Sequence, residues 1–251
     1  MLIESTHGGT ALLTLNQPAR RNALAMQMRQ EMLDALERIE ADRAIRAVVL
    51  TGADGNFSAG GDISGMNVTD ITGGRERFRL THKLVRLMIG LSKPIIAAVE
   101  GYAVGAGLSV ALCCDTVVAG DTAKFAAGFG RVGLVADLGM LHTLPRRVGE
   151  GHARQILLYG EQMTAARAEQ IGLIDRVVPA GGALDAALAL AAGFAEAAPL
   201  PIAMTKTYLA QGLADALEQE RTMQAMLFLS ADHAEGKESF LAKRPPVFSG
   251  A

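Results

Sequence analysis

The stretch "GYAVGAGLSVALCCD", Gly101 to Asp115, follows the apolar run "PIIAAVE" (94–100). Its reading decides the fold. An apolar run of that length reads as a buried strand, and the glycines and alanines after it hand the strand over to a helix. With no large side chains in the way, amide N–H groups point outward there, and a helix N-terminus favours negative charge. "NFSAGGDIS" (56–64) has the same plan after "RAVVLTG" (46–52). Two N–H donors converging on one point make an oxyanion hole. A dinucleotide fingerprint would need a glycine where Val110 stands, and a phosphate loop would need Gly-Lys-Ser/Thr. A serine-nucleophile elbow would need glycines at fixed offsets that "GLSVA" (107–111) does not supply. Turns without chemistry would explain either stretch alone, less easily both after buried strands.

Working outward, "TALLTL" (10–15) and "RAVVLTG" read as short buried strands around a helical pattern at 26–42. A second helical pattern covers 75–91, and a short helix ends near Cys114 before the strand "DTVVAG" (115–120). Helices alternating with strands predict an α/β fold with right-handed crossovers and a largely parallel sheet. From Gly149 onward the pattern is mostly helical apart from "LIDRVVP" (173–179). The expected division is a core over 1–195 and a helical C-terminal region over 196–251. The Met- and Leu-rich faces of that region suit core packing or association with copies of itself. "NVTDITGG" (67–74), small and polar, is expected to be a mobile loop near the site. His142 and His152 read as surface or helix residues without a partner.

The chain has 251 residues, half of them apolar and a fifth charged, with net charge −2. That is long enough for a large core, and the scattered, balanced charge offers nothing to a nucleic acid. No apolar run reaches a membrane-spanning length, and the N-terminus lacks a signal-peptide pattern. The two cysteines are adjacent, at 113 and 114, so a disulfide framework is not expected and a reducing cytoplasm is. The five histidines show no metal-ligand spacing. No metal is expected.

"FSAGGDI" (57–63), "KPIIAAVEGYAVGAG" (93–107) and the downstream "AKF", "VGLVADLG" and "LPRRVG" together resemble the crotonase superfamily, the enoyl-CoA hydratase/isomerase group. The similarity runs from "LNQPARRNAL" to "EGKESFLAKRPPVF". It implies a spiral of strand–strand–helix turns with a helical C-terminal trimerisation region, in trimers or pairs of trimers. It implies an acyl-CoA thioester as substrate, coenzyme A entering as part of that substrate, with no tightly bound cofactor, no flavin and no nicotinamide. The resemblance places the thioester oxygen between the amides of Gly61 and Ala106, where an enolate would be stabilised. Asn22, Ala23 and Leu24, with Gly60, Gly61, Asp62 and Ile63, would line the CoA site through backbone contacts. Phe240 and Lys243 would reach toward its nucleotide end. Asp62 itself reads as a cap.

The departures from the family pattern matter more. Hydratases of the group use two glutamates to hold water; the matching positions here are Ser109 and Phe129. One carboxylate remains, Asp137 in "VGLVADLG", the position of the acid/base in relatives such as the phenylacetate-pathway ring-epoxide isomerases and the dienoyl-CoA isomerases. A single positioned carboxylate suffices to move a proton from one carbon to another. Asp137 could instead cap the helix that follows. His82 has the spacing of the catalytic histidine of 4-chlorobenzoyl-CoA dehalogenases, yet Thr81 and Phe129 stand where their tryptophans would be. The expected function is an enoyl-CoA double-bond or ring isomerase. Atypical hydration, dehalogenation with His82, and acyl-CoA binding without catalysis stay open.

Overall fold

Paired strands, one for each of two sheets, set the plan of the molecule. The computed structural model describes the whole chain, Met1 to Ala251. In order, the chain forms β1 (Leu2–His7), β2 (Thr10–Leu15), α1 (Met26–Ala41), β3 (Ala47–Gly52), α2 (Ile71–Gly90), β4 (Ile95–Val99), β5 (Tyr102–Val104) and α3 (Ala106–Leu112). Then come β6 (Thr116–Gly120), β7 (Lys124–Ala126), α4 (Met140–Tyr159), β8 (Met163–Thr164), α5 (Ala165–Gln170) and β9 (Arg176–Val178). Helices α6 (Ala183–Ala192), α7 (Pro199–Leu209), α8 (Leu213–Leu227) and α9 (Ala231–Leu241) end it.

The larger sheet has the order β1-β2-β3-β4-β6-β9 and the smaller β5-β7-β8. All pairs of the larger sheet are parallel except the β1–β2 hairpin. Two turns of the spiral thus lay one strand in the large sheet and the next in the small one, β4 with β5 and β6 with β7, before a helix closes them. Both faces of the large sheet are buried, which is why its strands read as continuous apolar runs. Val48, Leu50, Ile95, Ala97 and Val117 face the main core. Their neighbours Val49, Ile96 and Val118 face α6, whose Ala183, Ala187 and Ala191 let the helix lie close to the sheet.

One strand escaped the sequence reading and one helix boundary moves. Strand β1 was not legible, because all its residues after Leu2 are exposed and its hold is the backbone ladder to β2. Helix α2 begins at Ile71, not at 75, since the Asp70 side chain accepts from Gly73 N at 2.7 Å and caps it. Half of the expected loop "NVTDITGG" is therefore helix. Of the two places read for His142, surface or helix, the structure gives the helix: it is buried on α4.

No single helix is long and apolar enough to cross a membrane; α6 and α7 pass such a test only together, across a 118° bend. Helix α8 packs along α2 and against α4, and α9 packs on the turn at 129–132. The C-terminal helices cover one end of their own chain's core.

Candidate active site

Two glycine-rich segments lie side by side. Single bridges pair Leu24 with Gly61 and Ser58 with Ala103, so residues 58–61 run between the 22–24 segment and β5. Leu24 N donates to Gly60 O at 2.8 Å, while Gly61 N donates to no group of the protein. Ala106 opens α3, where leading amides have no helical carbonyl to meet. Contact between the segments leaves no room for side chains. A methyl on Gly107 would stand 2.5 Å from Ser58 O, and one on Gly61 would lie 4.0 Å from Ala106 Cβ. Gly105, at φ 53, turns the chain into the helix.

Asn22 holds this arrangement from beneath. Its Nδ2 donates to Ala53 O (2.8 Å) and Asn56 O (2.6 Å), its Oδ1 accepts from Gln17 N (2.9 Å), and Ser58 Oγ donates to Asn22 O (2.8 Å). The buried Asn22 side chain is thus fully engaged inside the fold. Ala23, next to it in the chain, and Ile63, packed against the Phe78–Phe228 cluster, are half-buried. Asp62 caps a single 3-10 turn, Ile63–Gly65, rather than a longer helix. Hydrogen bonds from Ser64 and the charge of Arg20, 2.7 Å away, hold its carboxyl below the usual range.

A buried polar cluster is linked to these amides through Arg29, whose Nη2 lies 3.8 Å from where a methyl on Gly61 would stand and whose charge acts on Asp137. Asp137 is 5 % exposed and makes no side-chain hydrogen bond; its Oδ1 is enclosed without a partner. It does not cap α4, because the capping residue is Gly139 and no side chain caps that end from within the segment. Between them Leu138 has φ 51, rare for a branched side chain. That turn is held from outside by Glu220 of α8, whose Oε2 accepts from Gly139 N at 2.8 Å. Glu220 Oε1 bonds His82 Nε2 at 2.9 Å, both side chains being buried.

Burial sets the acidities here. It pushes Asp137 up to about 7, against the opposing charges of Arg29 and Arg77 and with the help of Glu220. It also pushes Glu220 up to about 7, against hydrogen bonds from the Gly139 and Leu138 amides. His82 is driven down to about 4 by burial and then by Arg86 and Arg221, so its ring is neutral near pH 7. A neutral imidazole already bonded to Glu220, with Phe78 against it at 5.3 Å, is a weak base for activating water. Ser109 is fully buried and its Oγ turns back to Gly105 O at 3.3 Å. Phe129 opens the 3-10 turn Phe129–Val132.

Sequence reasoning missed Arg29, Thr81 as its partner, and Glu220. Each sits in the buried face of a helix: Arg29 with Met28, Met32 and Leu33 on α1, Glu220 with Leu213 and Leu217 on α8. A charge inside an apolar stripe was the available signal.

The enoyl-CoA hydratase/isomerase family model matches residues 5–251. The chain belongs to the enoyl-CoA hydratase/isomerase family. It is therefore an acyl-CoA enzyme, and its fold is the crotonase fold expected from the motifs. It is 38% identical over 253 residues to the 2,3-dehydroadipyl-CoA hydratase of Escherichia coli K12, covering 99% of this chain and 98% of that one. To the 1,2-epoxyphenylacetyl-CoA isomerase of the same organism it is 36% identical over 258 residues, with 99% and 98% covered. A crystal structure of an enoyl-CoA hydratase from Mycobacterium avium subsp. paratuberculosis K-10 superposes with a TM-score of 0.89 at 30% identity, covering 99% of this chain and 98% of the other. Relatives of nearly equal identity thus carry the names of a hydratase and an isomerase. Membership leaves the reaction to the side chains described above.

Phe240 and Lys243 stand exposed at the end of α9 and just beyond it. The same helix reaches the 63–67 segment through Lys237, whose Nζ donates to Met66 O and Asn67 Oδ1, each at 2.7 Å.

Proposed function

We propose that this enzyme isomerises an enoyl-CoA thioester, with Asp137 as its only acid/base. The Gly61 and Ala106 amides would take the thioester oxygen, which acidifies the neighbouring carbon and stabilises the enolate once the proton leaves. Asp137 would accept that proton and return it to another carbon of the same acyl group. The observation that carries the reading is the state of Asp137: buried, free of hydrogen bonds, and holding its proton more tightly than an ordinary carboxyl because of that burial. Such a group passes easily between acid and base near neutral pH. Hydration by the usual pair of glutamates has no support, because Ser109 is turned into its own helix and Phe129 has no polar atom. Glu220 does not replace them, since both its oxygens are occupied.

On this reading coenzyme A enters with the substrate, and proton transfer to and from carbon calls on no further cofactor. We propose also that the enzyme works as a trimer or a pair of trimers. Leu200, Met204 and Tyr208 of α7, spaced along one face and about 70 % exposed, support that association.

The test is proton exchange at the α- and γ-carbons of a 3-enoyl-CoA in deuterated buffer, with wild type and Asp137→Asn side by side. Exchange or double-bond migration that vanishes in the variant is the expected result. If wild type binds the thioester without exchange, or the variant exchanges as fast, the isomerase reading is lost.

A further inference from the structure

Arg29 is the only arginine the fold buries, at 2 % exposure, and it makes no ion pair. Its Nε donates to Leu24 O (3.2 Å) and its Nη1 to Thr81 Oγ1 (2.8 Å), which fixes the plane of the guanidinium. Nη2 donates to nothing in the chain. It lies 3.8 Å from where a methyl on Gly61 would stand, so it borders the space beside the first oxyanion amide. Asp137 and Arg29 each feel the other's charge without coming into contact.

A buried guanidinium with no anion in contact is costly to keep. Arg77 of α2, its Nη1 held by Gly65 O at 3.1 Å, adds a second positive charge acting on Asp137. Glu220 is committed to His82 and Gly139, and Asp137 is partly protonated near neutral pH. None of the carboxylates near these two arginines, Asp137, Glu220 or Asp62, hydrogen-bonds to Arg29, so its Nη2 is open to an anion from outside the chain.

We propose that Arg29 is a substrate-binding residue that selects acyl groups ending in a carboxylate, the CoA thioesters of short dicarboxylic acids. The proposal rests on the thioester site described under the proposed function. Nη2 stands beside Gly61, whose amide takes the thioester oxygen, so the carboxylate lies only a few carbons away, in an acyl group about four or five carbons long. Arginine suits the task because its planar donor array matches a carboxylate and stays charged when buried.

The test uses a matched saturated pair, glutaryl-CoA and pentanoyl-CoA, which differ by a carboxylate in place of a methyl. Neither has a double bond to move, so calorimetric affinities are independent of the isomerase reaction. Wild type should bind glutaryl-CoA about ten- to a hundredfold more tightly. That ratio should fall toward one in Arg29→Met and be partly kept in Arg29→Lys. A wild-type ratio near one, or an unchanged ratio in Arg29→Met, overturns the proposal. Should Arg29→Met fail to fold, the wild-type ratio and the Lys variant decide. A ratio of one together with Asp137-dependent exchange removes only the role of Arg29. A large ratio without exchange removes only the isomerase reading.

Discussion

The two halves of the candidate site are built by different means. The oxyanion half is backbone: Gly61 and Ala106 come from turns in the spiral core, brought together because Gly60 and Gly107 carry no side chain to hold them apart. The acid/base half is side chains: Asp137, Glu220, His82 and Arg29 come from four separate segments, and α8 completes it. The first half tolerates almost no added atom. The second depends on burial, which sets how strongly each group holds its proton. A reaction through both needs a rigid hole for the oxygen and a carboxyl whose charge state can change.

The comparison is broken most severely by removing the carboxylate. Asp137→Asn should lower isomerase turnover by about 10²–10⁴ while thioester binding persists, measured as kcat and as calorimetric affinity. A variant that keeps full turnover would move the acid/base function elsewhere. Next in size is Gly107→Ala, which drives a methyl against Ser58 O and pushes the start of α3 away from residues 58–61. Displacing an oxyanion donor should cost about 10²-fold in kcat, with the pH profile unchanged because no titrating group moves.

Glu220 sharpens the contrast through pH. Base catalysis needs ionised Asp137, so wild-type kcat/KM should rise with pH through an apparent pKa near 7. Glu220 is one of the charges raising that value. Glu220→Gln keeps an acceptor for Gly139 N and a donor for His82 but removes the charge, so the rising limb should shift to lower pH. Glu220→Ala loses both bonds and should also cost about 1–3 kcal/mol of stability, read from denaturant melts.

The smallest effect is on stability against pH. Asp137 and Glu220 both hold their protons more tightly folded than unfolded, Asp137 moving from 3.8 to about 7. Their contribution is full below about pH 4 and is lost as pH rises through 7. Asp137→Asn lacks its share of that fall. Its melting temperature relative to wild type should be higher at pH 8 than at pH 5, by about 2–4 °C for each kcal/mol involved. A constant difference across that range would mean that Asp137 is not held protonated in the folded enzyme.

The sequence by itself determined the backbone half. Apolar strands followed by runs of small residues are local patterns, and few conformations satisfy them, so "GYAVGAG" and "FSAGGDI" could be read as strand ends with open amides. Its resemblance to the family singled out Asp137, with Ser109 and Phe129 standing where the hydratase carboxylates would be. Tertiary structure decided the rest. Arg29 and Glu220 look like ordinary helical charges until α1, α2 and α8 pack and place them in the interior. His82 had the spacing of a catalytic base, but burial beside Arg86 and Arg221 leaves it neutral, and Glu220, 138 residues away, occupies its Nε2. Burial and charge pairing depend on which distant segments meet, and that is fixed only when the chain closes on itself.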